Sequence, residues 1–133
     1  DMANSYEIYY KKYKKKLSKE IISAISRGLK YSAKDYAEAT DFMTRSYESY
    51  KEVFEDYHGV LTPSTAGVAP KGLKSTGSPE FCTIWTYMGL PAISLPLLKG
   101  ENNLPLGIQL IGDKFDDLRF LGVANWMEKN LKK

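Results

Sequence analysis

Apolar residues recur at helical spacing through the first 57 residues of the chain. The longest stripe continues without interruption at spacings of four and three residues, which predicts one face of a helix of about six turns. Its members are Tyr36, Thr40, Met43, Tyr47, Tyr50, Phe54 and Tyr57. Ser32, followed three residues later by Asp35, predicts the N-cap of this helix.

Two shorter stripes precede the long one. The first consists of Tyr6, Tyr10, Tyr13 and Leu17, and the second of Ile21, Ile22, Ile25 and Leu29. Ser18 is a candidate N-cap for the second helix, and Gly28 lies near its predicted end. The first 57 residues therefore predict three helices in succession.

From residue 58 onward the pattern changes to short apolar runs. Residues 60–62, 92–95 and 104–111 predict strands, and the last of them alternates with a period of two. Residues 81–88 predict two turns of helix ended by Gly89. A final helix is predicted after residue 116. Its apolar face comprises Phe120, Ala124, Met127 and Leu131, widened by Leu118, Leu121 and Val123. Residues 63–79, with three prolines and three glycines, predict a long irregular loop.

This order of elements predicts an α/β fold, with α+β as the alternative. Helices are followed by a small, partly open mixed sheet and a C-terminal helix. Residues 1–57 hold nine of the ten tyrosines, whereas residues 58–133 hold all six prolines and nine of the ten glycines. Residues 91–98 and 104–111 are apolar enough for burial on both faces, as in the centre of a larger sheet. We therefore expect the two segments to form one unit that is a fragment of a larger domain.

Composition and charge limit the classes of function. The net charge of +3 is mild, so the basic surface of a nucleic-acid-binding domain is not expected. No apolar run approaches the roughly 18 residues that cross a bilayer, and no signal peptide is visible. One cysteine and one histidine are too few for a Cys/His metal cluster. The expectation is a cytoplasmic protein with no nucleic-acid or membrane partner, metal or cofactor.

Spacing alone indicates no complete active site. The lysines between residues 11 and 19 favour a solvated helix face over a phosphate or membrane contact. Cys82 has apolar neighbours in sequence, which favours a structural cysteine over a nucleophile paired with His58. The serines of residues 63–79 are explained by turn chemistry, because neither a Gly-x-Ser-x-Gly elbow nor a phosphate-binding loop is present.

Four stretches in fixed order resemble the C-terminal part of amidase-signature hydrolases. They are residues 61–64 (LTPS), 76–86 (TGSPEFCTIWT), 89–96 (GLPAISLP) and 104–112 (LPLGIQLIG), followed by the predicted last helix. Residues 28–36 are similar to the helix that precedes the LTP strand in this family. The resemblance therefore covers the chain from about residue 20 onward.

The resemblance implies a hydrolase of carboxamide C–N bonds that uses a Ser–cis-Ser–Lys triad. In the family, the Gly/Ser-rich stretch with both serines and the catalytic lysine lie toward the N-terminus. We recognise neither in these 133 residues, so no catalytic residue is assigned. The resemblance implies a C-terminal fragment that is inactive alone, with a small amide as substrate of the full-length enzyme.

The segment before GLP helps to form the substrate pocket in this family. By position, the pocket candidates are Ser78, Pro79, Phe81, Cys82, Thr83 and Trp85. The amidase components of tRNA-dependent amidotransferases carry an acidic residue near the position of Pro79, where it can pair with a substrate amino group. A proline cannot make that pair, so the resemblance favours amidases of simple aliphatic or aromatic amides.

An alternative function is a standalone binding or assembly module that retains an amidase tail. The tyrosine-rich helix of residues 34–57 would be its interaction surface, since tyrosine is enriched at interfaces. Self-association is expected under either interpretation, because a short sheet leaves open edges that pair with other strands or allow helix exchange.

Overall fold

A computed structural model describes residues 1–131 of the 133-residue chain. The helices are α1 (Met2–Ser5), α2 (Glu7–Tyr13), α3 (Lys19–Gly28), α4 (Ala33–Asp56), α5 (Glu80–Met88) and α6 (Asp117–Leu131). The strands are β1 (Val60–Pro63), β2 (Ala92–Lys99) and β3 (Pro105–Ile111). Contacts divide the chain into two compact units, an N-terminal unit of residues 1–42 and a C-terminal unit from residue 43 onward.

Side-chain caps begin the two longer helices of the N-terminal unit. The Ser18 hydroxyl accepts a hydrogen bond from the Ile21 amide at 3.3 Å, so α3 begins as predicted. The Ser32 hydroxyl accepts from the Asp35 amide at 3.1 Å, and the Asp35 carboxylate accepts from the Ser32 amide at 2.8 Å. This reciprocal pair is the predicted capping box, and it lowers the pKa of Asp35, chiefly through the backbone hydrogen bond from Ser32.

The first predicted stripe does not form one continuous helical face. The backbone leaves helical geometry at Tyr6 (φ −102°, ψ 8°), and a 3₁₀ turn follows α2 at Lys14–Lys16. The ammonium groups of Lys14 and Lys16 lie 4.8 and 5.7 Å from the ring centres of Tyr10 and Tyr13. Tyr13 and both lysines are exposed and Tyr10 is only half-buried, so the tyrosines provide contacts for lysines rather than a buried stripe.

The three strands form one sheet in the order β1-β3-β2. Helices combined with a small open sheet confirm the predicted fold class. The predicted mixed character is not found within this chain, because both strand pairings among the described residues are antiparallel. β2 also continues through Pro96 to Lys99, beyond its predicted end. A register shift between Leu95 and Leu98 accommodates the proline, which has no amide hydrogen to donate.

Helices pack on both faces of this sheet. On one face, α6 contributes to a cluster of Leu95, Leu110, Phe120, Ala124 and Met127. On the other face, α5 and the end of α4 contribute to a cluster of Phe54, Trp85, Met88, Leu90 and Ile111. Successive residues of a strand point to opposite faces, so neighbours Leu110 and Ile111 of β3 belong to different clusters. β3 is therefore buried on both faces at its end, whereas most of β2 is exposed.

Three residues of the last helix contradict the predicted apolar face. Phe120, Ala124 and Met127 are buried as predicted, and Val123 packs against them. Leu118, Leu121 and Leu131, however, are 90%, 53% and 45% exposed. The sheet covers only the stripe centred on residues 120, 124 and 127, and the three leucines lie outside it.

Polar contacts attach the C-terminal half of α4 to the rest of its unit. The Arg119 guanidinium donates to the carbonyl oxygens of Phe54 and Tyr57, at 2.9 and 2.8 Å, where α4 ends. The Tyr47 hydroxyl donates to Asp113 at 2.8 Å. Burial, followed by this hydrogen bond to a carboxylate, raises the pKa of Tyr47 to about 12.

None of the helices within residues 1–131 is both long enough and apolar enough to span a membrane.

Candidate functional site

One polar residue from each strand lies in register across the sheet. Gln109 of β3 stands opposite Thr62 of β1 and Ser94 of β2. Directly opposed residues of antiparallel strands share a face, and Gln109 shares its face with Ile111 two residues later. The three residues, called here the polar row, therefore lie on the face covered by α5.

Gln109 is the buried member of the polar row, with 4% of its surface exposed. Its side-chain nitrogen lies 2.8 Å from the Thr62 hydroxyl, 3.2 Å from the Pro63 carbonyl oxygen and 2.5 Å from the Phe81 carbonyl oxygen. The amide thus connects β3 to the end of β1 and to the first turn of α5.

Ser94 forms a close pair with the first residue after β1. The hydroxyl oxygens of Ser64 and Ser94 are 2.7 Å apart. Gly107 makes this approach possible, because a Cβ atom there would lie 2.5 Å from the Ser94 hydroxyl and 2.8 Å from the Ser64 hydroxyl. The Gly107 carbonyl also accepts a hydrogen bond from the Ser64 amide at 3.0 Å. A glycine at this position is required by the serine pair.

Ser78 and Pro79, the first two predicted pocket residues, lead into α5. The Ser78 hydroxyl accepts from the Glu80 amide at 3.3 Å. Pro79 is the N-cap residue, and its carbonyl accepts from the amides of Cys82 and Thr83 at 2.9 and 3.0 Å. The same carbonyl accepts from the Thr83 hydroxyl at 2.9 Å, so the helix start is held by local hydrogen bonds.

The other predicted pocket residues separate into two groups. Cys82 and Thr83 are exposed, and the Cys82 thiol donates to the Ser64 carbonyl oxygen at 3.6 Å. Phe81 is half-buried, and its carbonyl belongs to the contacts of Gln109. Trp85 instead lies in the hydrophobic core, 6% exposed, with its ring edge-to-face with Tyr50 at 5.6 Å. The structure therefore places Ser78, Phe81 and Cys82 near the polar row and Trp85 in the hydrophobic core.

A cavity of about 340 Å³ lies between the loop after β1 and the sheet. Hydroxyl groups line it, together with glycines and short apolar side chains. The hydroxyl-bearing residues are Ser64, Thr65, Thr76, Ser78 and Ser94. None of the lining residues carries a charge, so the cavity suits an uncharged group that both donates and accepts hydrogen bonds.

The lining residues of the cavity offer hydroxyl groups but no general base. A serine hydroxyl becomes a nucleophile when an adjacent base takes its proton, and neither lysine nor histidine is among the lining residues. Among residues 1–131, no group of three or more His, Cys, Asp and Glu side chains is placed to hold a metal ion. The hydroxyls can donate hydrogen bonds to a polar ligand and accept them from it.

Sequence reasoning did not single out Ser64, Ser94 or Gln109 as site residues. A signal was present, since Ser94 and Gln109 are polar residues inside otherwise apolar strand sequences. Their alignment with Thr62 depends on the register of two strand pairings, which hydrophobic periodicity does not specify.

Comparisons with known proteins agree on one family. A family model described as Amidase matches residues 1–121, and so begins before residue 20, from which the resemblance was expected. A glutamyl-tRNA(Gln) amidotransferase subunit of Alkaliphilus metalliredigens is 36% identical over 104 residues, which cover 72% of this chain and 21% of that protein. Fatty acid amide hydrolase of Medicago truncatula is 31% identical over 126 residues, which cover 86% and 21%.

Solved structures give the same result for the fold. A crystal structure of an amidase aligns with a TM-score of 0.80 at 23% identity, covering 97% of this chain and 32% of that one. A glutamyl-tRNA(Gln) amidotransferase subunit of Thermotoga maritima aligns with a TM-score of 0.61 at 28% identity, covering 83% and 25%. The chain spans about a fifth of the length of the curated relatives it matches. It belongs to the amidase family.

Proposed function

We propose that this chain is the C-terminal part of an amidase and forms one wall of the site where a small carboxamide is bound and hydrolysed. The observation that carries the proposal is the uncharged, hydroxyl-lined cavity at the polar row. Each of the four stretches that resemble the family contributes residues to its walls, and residues 65–70 of the loop supply the rest.

The character of the lining supports a neutral substrate. A carboxamide donates through its nitrogen and accepts through its oxygen, which complements a ring of serine and threonine hydroxyls. A charged ligand would lose hydration without gaining an ion pair among these lining residues. Glu80, the acidic residue in the first turn of α5, is not among the lining residues, so the cavity offers no carboxylate to a substrate amine. The substrate class is therefore simple aliphatic or aromatic amides.

The same geometry supports a binding role without catalysis for this chain by itself. Ser64 and Ser94 share a hydrogen bond, and no lining residue can take a proton from either one. In this proposal, the nucleophile and its base belong to the remainder of the enzyme, and the 133-residue chain alone hydrolyses no amide.

The experiment begins with the gene upstream of the Asp1 codon. The longer product of that reading frame and the 133-residue chain are purified and tested for ammonia release from butyramide, benzamide and L-glutamine. The longer product is expected to hydrolyse the two neutral amides, and the shorter chain none of the three. Ser94→Ala in the longer product should raise KM, whereas Ser23→Ala, an exposed position within α3, serves as the matched control.

Each result has a defined meaning. Amide turnover by the 133-residue chain would overturn its proposed inactivity. A longer product that hydrolyses none of the amides would refute the proposed function. A stop codon and a start signal directly upstream of Asp1 would also refute it and would favour the binding module.

That second candidate is supported by exposed aromatic residues at both ends of the α4 stripe. Tyr36 and Tyr57 are 54% and 64% exposed, as an interaction surface requires. The middle of the stripe is not available to a partner, because Tyr47, Tyr50 and Phe54 pack in the α5-side cluster of the C-terminal unit. Only the ends of the stripe are left for a partner, so the amidase function is the better supported of the two.

A further inference from the structure

Gln109 is the polar residue among the buried side chains of residues 1–131. A buried amide is costly unless it is hydrogen-bonded, and an apolar residue would be the simpler choice at the centre of this sheet. Its contacts join the end of β1, through Thr62 and Pro63, to the first turn of α5, through Phe81. These partners are all uncharged, so an ion pair does not account for the buried amide.

The orientation of the Gln109 amide follows from its partners. Two of them are backbone carbonyl oxygens, which only accept hydrogen bonds. The amide nitrogen, rather than the oxygen, must therefore face Pro63 and Phe81. The Thr62 hydroxyl, which can donate or accept, is compatible with either orientation and so does not decide it.

The two carbonyls lie on either side of the segment that closes the cavity. Pro63 precedes Ser64 and the loop, and Phe81 follows Ser78 and precedes Cys82. When one amide binds both carbonyls, the beginning of the loop and the helix that follows it are held at a fixed separation. The Cys82–Ser64 contact at 3.6 Å is a second link between the same two segments.

We propose that Gln109 is a positioning residue of the substrate site, which holds the first turn of α5 against the end of β1 and thereby sets the width of the cavity. It touches no substrate, and it acts through Ser64, Ser78 and Cys82. This inference rests on the proposed function. In it, the buried amide determines the shape of the cavity wall and takes part in no step of the reaction.

The first test is hydrogen exchange of the 133-residue chain with Gln109→Met. Methionine keeps the volume and apolar packing but leaves the Pro63 and Phe81 carbonyls without their donor. Exchange at the Cys82 and Thr83 amides is expected to rise about tenfold more than exchange at the Ala124 and Met127 amides of α6. Ala124→Gly, in the opposite layer, is the control. It should not produce that selective increase.

A second variant covers the case in which Gln109→Met does not fold. Thr62→Val removes one acceptor of the amide and leaves both carbonyl contacts. We expect a smaller but still selective increase at Cys82 and Thr83. An equal increase at all four amides in either folded variant would show that Gln109 only adds stability, and would overturn the proposal.

The activity test uses the longer amidase product. Gln109→Met should raise KM for butyramide about tenfold and leave kcat within about threefold, because the reacting bond is not touched. Selective exchange with an unchanged KM would overturn the role in the substrate site. If the unaltered longer product lacks all amide turnover while the selective exchange persists, the proposed function fails and the link between β1 and α5 remains as a purely structural one.

Discussion

The two units of the chain differ in how much apolar surface they bury. In residues 1–42, Ile25 is the buried hydrophobic residue, and Ile8, Leu29 and Tyr31 are each more than 60% exposed. Residues 43–131 bury ten hydrophobic residues in two clusters on either face of the sheet. Both segments contain regular amphipathic patterns, but only the second contains a sheet for helices to cover.

The difference shows that a helical pattern is not by itself a source of stability. Short helices in water are marginal, and most of their stability in proteins comes from packing an apolar face. The N-terminal unit depends on caps at Ser18 and Ser32, on the burial of Ile25, and on the close contact of Gly28 with Ala3. We therefore expect it to unfold more easily than the C-terminal unit.

The largest expected effect is in the C-terminal unit. Met88→Ala should lower its free energy of unfolding by about 2–5 kcal/mol, because Met88 is fully buried in the α5-side cluster. Urea titration followed by tryptophan fluorescence measures this, since Trp85 lies in the same cluster. Leu118→Ala, at a 90% exposed position, is the control and should change the midpoint little. Equal effects of the two variants would contradict the described core.

The next variant tests the same kind of change in the N-terminal unit. Ile25→Ala removes its buried hydrophobic residue and should lower the urea midpoint seen by far-UV circular dichroism. The fluorescence midpoint should stay in place, because both tryptophans lie beyond residue 42. A common shift of both midpoints would mean that the two units unfold together. It would refute the expectation that the N-terminal unit unfolds more easily than the C-terminal unit.

A third prediction concerns what the C-terminal unit leaves uncovered. A groove of about 320 Å³ on the α6 face is lined by apolar residues that include Leu61, Leu98 and Leu106. We expect the purified chain to self-associate at tens of micromolar, and Leu98→Lys to weaken association about tenfold, because charge protects an edge strand. Sedimentation velocity measures this, with Leu118→Lys as the control. A chain that is monomeric and folded at that concentration would refute the prediction.

Arg119 provides a smaller test of the C-terminal unit. Arg119→Ala removes the hydrogen bonds to the Phe54 and Tyr57 carbonyls and should lower the free energy of unfolding by about 1 kcal/mol. Arg119→Lys, which keeps the charge but not the planar group, should recover part of this loss in the same urea titration. An unchanged midpoint for Arg119→Ala would show that these bonds exchange for water without cost.

The smallest effect is expected at high pH. The pKa of Tyr47 is raised to about 12, above its ordinary value near 10, so its protonated form is favoured in the folded state. The stability that it contributes is present below pH 10 and is lost as the pH rises toward 12. Tyr47→Phe should lose less stability over that interval than the unaltered chain. Parallel pH profiles of the two proteins would contradict the described Tyr47–Asp113 contact.

The elements that sequence predicted well are those with local causes. The capping pair of Ser32 and Asp35 depends on residues three apart, and α5 ends where Gly89 adopts the left-handed conformation at φ 70°. The break at Tyr6 and the exposure of Leu118 and Leu121 depend on what each helix finds to pack against. Periodicity describes a face, but tertiary contacts decide how much of that face is covered.

The candidate site was only partly predictable from the sequence, because tertiary contacts also decide which of its residues come together. Family resemblance led to the segment of Ser78 and Cys82, which the structure places near the polar row. Ser94 and Gln109 come together only through strand register, and the shift between Leu95 and Leu98 changes that register along β2. Trp85 lies on the same short helix as Cys82, one turn further along, yet it is buried because it packs against Tyr50 in the α5-side cluster.

The strand order β1-β3-β2 has a consequence for when the sheet can form during synthesis. β3 is the last strand among residues 1–131, and both other strands pair with it rather than with each other. A growing chain that has not yet reached Ile111 therefore has β1 and β2 without a common partner. The sheet assembles only when residues 105–111 have left the ribosome, so an interrupted translation product would expose two unpaired strands to aggregation.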